Sequence, residues 1–305
     1  MYKLLRYAMG WSDVRGRPIS ATPGKFIRPT LCLFACGATS GRADAALPAA
    51  VALELIHNFS LIHDEIQDRD DMRHHRPTLW TIWGDAKALV AGNALRVVAD
   101  LALRDLVYGR DTHTSALEAT KLLTTAYLEM IEGQYLDIQF EGRPDITMDD
   151  YLGMISRKTG ALVRCSMTVG AAIGSRDKSI VDAFEESGRS LGLLFQIRDD
   201  ILGIWGETET TGKPVGADIR RKKNTLPVVY TMSEARGAER QLLLDIYSES
   251  DVTDKDVKTV LQIMDRVGTR RYCESLAVEQ YNESLKPLRP LNLSPLAYNE
   301  MDELA

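Results

Sequence analysis

The sequence predicts an all-α protein, a single large helical bundle around a central apolar cavity. Three observations carry that expectation. Apolar residues recur at three- and four-residue spacing over long windows. Runs of alternating strand-like residues bounded by turn dipeptides are missing. The stretches that break the helical period are short and rich in Gly, Pro, Ser and Asp. A length of 305 residues would suit two average domains. Because the breaks read as loops and not as linkers, one domain over residues 1–305 with no sheet is expected.

Met1 to Met9 carry Lys3 and Arg6 without a long apolar stretch or a small-residue cleavage site, so a short first helix and no secretory signal are expected. From residue 28 onward the helical period is set by Leu31, Phe34 and Ala35, then by Val51, Leu55, Phe59 and Ile62, then by Leu95, Val98, Leu101 and Leu106. Breaks fall at 10–24, 39–42, 73–78, 109–113, 141–147, 174–178 and 206–214. The apolar run from Leu47 to Ile56 is interrupted by Glu54 and closed by His57, short of the roughly 20 residues that span a bilayer. No transmembrane helix is expected, and a cytoplasmic location follows. Four cysteines, Cys32, Cys36, Cys165 and Cys273, lack the second Cys or His pair that zinc spacing requires and read as buried reduced thiols.

Hydrophobic residues make up 45% and charged residues 26%, ordinary globular usage that argues against disorder. A net charge of -6 argues against a nucleic-acid partner, which needs clustered positive charge. Any anionic ligand must therefore be met locally. Two acidic clusters stand out, Asp64-Glu65-x-x-Asp68 and Asp199-Asp200, each behind an apolar helical segment. On a helix Asp64 and Asp68 lie one turn apart on one face with Glu65 adjacent, so hard oxygen donors suited to Mg²⁺ converge. A lone acidic face is more often solvated. Here Phe59-Ser60-Leu61-Ile62 and Leu193-Leu194-Phe195-Gln196 place the carboxylates at the mouth of a core, where unpaired charge is costly and a cation is implied. Basic residues accompany both clusters: Lys25 and Arg28, Arg73 and Arg76, Lys158, and then Lys213, Lys222 and Lys223. A diphosphate bridged by Mg²⁺ between the two clusters is chemically sensible.

In this order the motifs resemble the trans-isoprenyl diphosphate synthase family, closest in pattern to its geranylgeranyl and farnesyl diphosphate synthases. The resemblance runs from Gly24-Lys25-x-x-Arg28-Pro29 through Asp64-Glu65-x-x-Asp68, Arg73 to Thr78, Lys158-Thr159, Phe195-Gln196-x-x-Asp199-Asp200 and Gly212-Lys213 to Asp218 through Pro227. It implies an isoprenoid-synthase bundle, a homodimer, and Mg²⁺-dependent head-to-tail (1'-4) condensation of isopentenyl diphosphate with an allylic diphosphate. By the same resemblance Asp64, Asp68 and Asp199 are the principal Mg²⁺ ligands, with Glu65 and Asp200 as near ligands or behind them. Arg73, Lys158, Lys213 and Lys223 would hold the allylic diphosphate, and Lys25, Arg28 and His57 the diphosphate of isopentenyl diphosphate. Thr159 and Gln196 would direct oxygen dipoles at the allylic cation. Phe59, five positions before Asp64, with small Ser60 beside it, resembles the chain stopper of geranylgeranyl diphosphate synthases, so that product is expected, with farnesyl or a longer chain as alternatives.

Three positions depart from the family pattern. Glu65 replaces an aspartate, His74 stands for an arginine that would serve the homoallylic anion site, with Arg76 available to compensate, and Gly203 stands where the second motif ends in aspartate. Restoring that carboxylate, Gly203→Asp, is expected to be tolerated. A class I terpene cyclase and a non-catalytic subunit of a heteromeric synthase are the alternatives from other classes. The first would not need Lys25, Arg28 and His57, and the second is disfavoured by retention of both lysine-bearing motifs.

Overall fold

A computed structural model of the chain describes residues 1–19, 24–106, 113–206 and 214–305. The helices that matter below are α1 (Tyr2–Ala8), α2 (Ile27–Ser40), α3 (Leu47–Gln67), α4 (Leu79–Trp83), α5 (Asp85–Leu103), α6 (His113–Phe140), α7 (Met148–Ile155), α8 (Ala161–Gly174) and α9 (Lys178–Trp205). Shorter helices follow to the C-terminus, ending with Pro295–Leu304. The all-α expectation holds, and α2, α6, α8 and α9 end at the expected breaks, whereas the boundary at Gly84 between α4 and α5 is not among them and residues 109–112 of another break lie outside the described residues. α2, for example, stops at Ser40 because Gly41 takes φ +72, a left-handed cap that only glycine adopts at no steric cost.

One expectation is corrected. The loop after the first acidic cluster contains a two-stranded antiparallel ribbon, Met72–Arg73 against Arg76–Pro77. Two-residue strands are too short to show alternation. Their turn, His74-His75 at φ 48 and 60, has the two left-handed residues of a tight hairpin without the Asn-Gly pair that usually announces one.

The chain packs into two compact units, Met1–Tyr127 with Cys165–Phe184, and Leu128–Arg164 with Glu185–Ala305. In the first, α3 is the central helix. It buries Ala49, Ala52, Leu53, Ile56, Phe59, Ile62 and Ile66 and packs on the small-residue face of α5, Ala88, Ala91 and Ala99. The segment Ala43–Gln67 is long and apolar enough to cross a membrane by length and composition, and 56% of that window is buried, as in a core helix. α8 meets α2 through Gly170, where a Cβ would lie 2.2 Å from the Cys32 carbonyl oxygen. All four cysteines are buried thiols outside any disulfide, as expected.

The second unit has two apolar clusters. One gathers Ile204, Ile219, Val228, Met232, Leu243, Val257 and Ile263. The other gathers Phe140, Ile146, Tyr151, Ile155, Ile197, Leu226 and Cys273. The second cluster matters most for the site, because α7 and α9 insert Tyr151 and Asp200 into it.

Candidate active site

In the first unit α3 delivers the acidic cluster at its C-terminal end. Asp68 caps the helix, its N–H bonded to the Asp64 carbonyl at 2.7 Å, and Asp64 is half-buried one turn above. Glu65 points elsewhere. With Ile62 and Ile66 it lies on the buried stripe, 7% exposed, where it accepts from Arg73 Nε at 2.6 Å. Burial raises the Glu65 carboxyl pKa, and the Arg73 charge opposes that. Glu65 and Arg73, expected as a metal ligand and a diphosphate ligand, thus also hold each other.

Cationic groups crowd the same unit. Arg28 has a shielded Nε with no hydrogen-bond partner, and burial lowers its pKa to about 10 against the pull of Glu54. Burial, then Arg28, Arg73 and His74, hold His57 well below its ordinary value, so it is neutral near pH 7. Arg28, His57, Arg73 and His74 therefore form one electrostatic cluster that an anion would relieve. Lys25 is exposed, three residues before Arg28. Arg76, the residue available to compensate for His74, is engaged with the N-terminal segment. Its guanidinium lies 4.1 Å over the Tyr7 ring and donates to the Ser12 carbonyl at 2.9 Å, pinning the ribbon to the N-terminal segment. Phe59 is buried with its ring 4.5 Å from His63 and 5.5 Å from Tyr127.

The second unit builds its side on a distorted helix. Ser156–Gly160 is a π turn between α7 and α8, a one-residue insertion that re-aims side chains and recurs at functional sites. Two glycines accommodate it. A Cβ at Gly133 on α6 would lie 2.1 Å from the Lys158 backbone nitrogen, and one at Gly192 on α9 would lie 2.7 Å from the Gly160 Cα. Lys158 leaves the turn to pair with Asp137. The Thr159 hydroxyl donates to Gln196 Oε1 at 2.7 Å, and Gln196 Nε2 donates to Asp200 Oδ1 at 2.9 Å.

Asp199 and Asp200 part company on α9. Asp199 is exposed, whereas Asp200 shares the buried face with Ile197 and Ile204 and is 3% exposed. Its Oδ2 accepts from the Tyr151 hydroxyl and from the Leu226 N–H at 3.0 Å. Burial outweighs these donors and pushes its carboxyl up to about 7. Asp200, expected as a metal ligand, thus has both oxygens engaged by protein donors. Lys223 is exposed, its N–H bonded to the Asp218 carbonyl at 3.0 Å; Lys213 lies outside the described residues.

Gly203 has a reason the sequence does not show. A Cβ there would lie 1.9 Å from Asp218 Oδ2, so the Asp218 carboxylate occupies the space of a side chain at 203. An aspartate at 203 would require the Asp218 side chain to move and would set a second carboxylate beside it.

Among the described residues, no three His, Cys, Asp or Glu side chains converge at metal-ligand spacing. Paired and single carboxylates at Asp64, Asp68 and Asp199 still fit Mg²⁺. That ion binds through one or two carboxylates, keeps several waters and completes its shell with substrate phosphate oxygens. Tyr151, Asp137, Gly133 and Gly192 are not found by motif reading. The two glycines do carry a signal, since glycine inside a helical period costs about 1 kcal/mol relative to alanine and implies a packing reason.

A family model described as polyprenyl synthetase matches residues 16–264. The sequence is 39% identical over 308 residues to the (2E,6E)-farnesyl diphosphate synthase of Mycobacterium bovis, covering 100% of this chain and 84% of that one. It is 35% identical over 289 residues to a geranylgeranyl diphosphate synthase of Mycobacterium tuberculosis, covering 95% and 81%. The crystal structure of a polyprenyl synthetase from Streptomyces coelicolor matches with a TM-score of 0.91 at 33% identity, over 99% of this chain and 90% of that one.

Proposed function

The chain belongs to the polyprenyl synthetase family and is a short-chain trans-prenyl diphosphate synthase, and on that premise we propose that it makes geranylgeranyl diphosphate by Mg²⁺-dependent 1'-4 condensation. The observation that carries the substrate assignment is the cationic cluster around neutral His57, with the shielded, partnerless Nε of Arg28. Such a cluster suits the diphosphate of isopentenyl diphosphate, and Lys25, three positions before Arg28, is assigned to the same anion.

Bound through Asp64, Asp68 and Asp199, Mg²⁺ would neutralise charge on the departing allylic diphosphate. The chain's own residues do the rest. Lys158, held by Asp137, and the lysines around Lys223 take the leaving group's negative charge as the allylic C–O bond breaks and the diphosphate departs with its electron pair. The isopentenyl double bond then attacks the allylic cation, and the proton lost from the new cation passes to the released diphosphate. Apolar walls keep water from both cations.

Phe59 supports a geranylgeranyl product, because its buried ring lies on α3 about 7.5 Å, five residues at the helical rise, before Asp64. A farnesyl product is the second reading, favoured by the 39% identity to a farnesyl diphosphate synthase. Incubating the purified chain with Mg²⁺, labelled isopentenyl diphosphate and dimethylallyl, geranyl or farnesyl diphosphate decides between them. A C20 product that lengthens in Phe59→Ala supports the proposal; a C15 product refutes the first reading, and no elongation at all refutes the reaction.

Residues 1–305 act as one functional domain in this reading, and as a homodimer. The exposed face of α5, with Val90 57%, Val97 59% and Leu101 52% exposed at helical spacing, supports self-association. Sedimentation at micromolar concentration tests it, and a monomer would remove that part of the proposal.

A further inference from the structure

Thr159 and Gln196 are the oxygens assigned to the allylic cation, but a hydroxyl can present either a proton or lone pairs, and only lone pairs stabilise a cation. We propose that Asp200, oriented by the Tyr151 hydroxyl and the Leu226 N–H, is a positioning residue that fixes the polarity of the Thr159 hydroxyl, so that its oxygen offers only lone pairs. This inference rests on the synthase reading and deepens it.

The argument runs along one chain of directional hydrogen bonds. The Leu226 N–H can only donate, so Asp200 Oδ2 is an acceptor, and the Tyr151 hydroxyl donates to the same oxygen. With Asp200 ionised, its Oδ1 accepts from Gln196 Nε2 at 2.9 Å, which leaves the Gln196 amide a single orientation. Its Oε1 therefore faces Thr159 at 2.7 Å and can only accept, and this commits the one hydroxyl proton of Thr159. What remains on the Thr159 oxygen is lone pairs. The backbone under them is held as well, since Thr159 sits in the π turn Ser156–Gly160 between the glycine contacts at Gly133 and Gly192. Every group in the chain has a geometric reason for its orientation, and the reason begins at Asp200.

Asp200→Asn should reverse the sign of the chain without changing its shape. The Leu226 N–H and the Tyr151 hydroxyl still demand an oxygen at the Oδ2 position, so the new amide nitrogen must face Gln196. Gln196 then turns its oxygen to residue 200 and its Nε2 to Thr159. The Thr159 oxygen becomes the acceptor, and its proton swings outward toward the ligand. The number of hydrogen bonds stays the same while the dipole offered to a cation inverts.

The test is a double-mutant cycle on the full chain, measuring kcat, KM for both diphosphates and the half-saturating Mg²⁺ concentration. In the parent, Thr159→Val should lower kcat about tenfold by removing a preorganised dipole. Asp200→Asn should lower kcat by tenfold or more, with both KM values and the Mg²⁺ requirement within about twofold. Adding Thr159→Val to Asp200→Asn should then leave kcat unchanged or raise it, because a dipole of the wrong sign is being removed. The same loss from Thr159→Val in both backgrounds overturns the proposal. So does an Asp200→Asn enzyme rescued by excess Mg²⁺, which would make Asp200 a metal ligand. If Asp200→Asn does not fold, Gln196→Met carries the test. It removes the acceptor that commits the Thr159 proton, so Thr159→Val must cost well below tenfold in that background, and an undiminished cost of about tenfold overturns the proposal. A parent chain without elongation activity refutes the synthase reading itself, whereas an active parent without this coupling refutes only the polarity role.

Discussion

The two acidic helix ends, Asp64-Glu65 on α3 and Asp199-Asp200 on α9, share one plan and balance their buried charge differently. In each, the first aspartate stands off the core stripe and the second carboxylate continues it, Glu65 with Ile62 and Ile66, Asp200 with Ile197 and Ile204. Glu65 is met by a cation, Arg73 at 2.6 Å. Asp200 is met by neutral donors only: a phenol, an amide side chain and a backbone N–H. An ion pair tolerates small shifts, because its attraction falls off slowly with distance. A set of neutral donors has to be aimed, and aiming orients everything bonded to it. The first unit thus uses its buried carboxylate to hold a charged loop. The second uses its buried carboxylate to orient polar groups.

The largest expected effect breaks the outer member of a pair. Asp199→Ala should cut turnover on the order of a thousandfold, several kcal/mol of leaving-group stabilisation, while the fold is retained because the side chain is exposed. A nearly normal rate would contradict its metal role. Gly133→Ala comes next. Its Cβ would meet backbone at 2.1 Å, which no rotamer change relieves, so a loss of about 3 kcal/mol or a displaced π turn with little activity is expected in denaturation and rate measurements. A fully stable, active variant would contradict the packing assigned to that turn.

Removing the partners of the buried carboxylates sharpens the comparison. Arg73→Gln should cost about 2 kcal/mol, below the 3–5 kcal/mol typical of a fully buried pair because Arg73 is 34% exposed. Tyr151→Phe should cost about 1 kcal/mol, since it removes one neutral donor of three. Added salt should narrow the first loss and leave the second unchanged. Equal salt sensitivity in urea titrations would erase the distinction.

The smallest effect is a pH slope in the first unit. Burial and the cations around His57 keep it neutral when folded, whereas the unfolded chain protonates it below about pH 6.5. Its contribution is complete above that pH and is lost as pH falls toward the depressed folded value. His57→Gln should therefore lose less stability than the parent between pH 7.5 and 5.5, by at most about 1.4 kcal/mol per pH unit. An unchanged slope would mean that His57 is protonated in the fold.

Much of this was legible in the residues. The helical period gave the all-α architecture, and the order of charged motifs gave the family. The buried carboxylates were legible too, since Ile62-x-x-Glu65-Ile66 and Ile197-x-x-Asp200 place them on the apolar stripe by spacing alone. Their spacing also places them behind Asp64 and Asp199, in the position of near or supporting ligands. Other features depend on contacts distant in sequence. Tyr151 reads as an ordinary core aromatic until it meets Asp200, and Gly203 reads as a lost carboxylate until Asp218 fills its space.

Backbone strain adds a marker that sequence reading lacks. Among the described residues, the non-glycine positions with left-handed φ are Phe26, Arg69, His74, His75 and Lys222. Each is a residue assigned to the site or the immediate neighbour of one: Lys25, Asp68, His74 or Lys223. Conformations that cost about 1 kcal/mol or more persist where the surroundings enforce them, and here they coincide with the charged segments.

The central claim, an outer aspartate for metal and an inner carboxylate for scaffolding, is tested most directly by the Mg²⁺ dependence of turnover in Asp199→Asn and Asp200→Asn side by side. The account predicts a half-saturating concentration raised about tenfold or more in Asp199→Asn, equivalent to about 1.4 kcal/mol, and shifted by less than about twofold in Asp200→Asn. Equal increases in the two variants would contradict it.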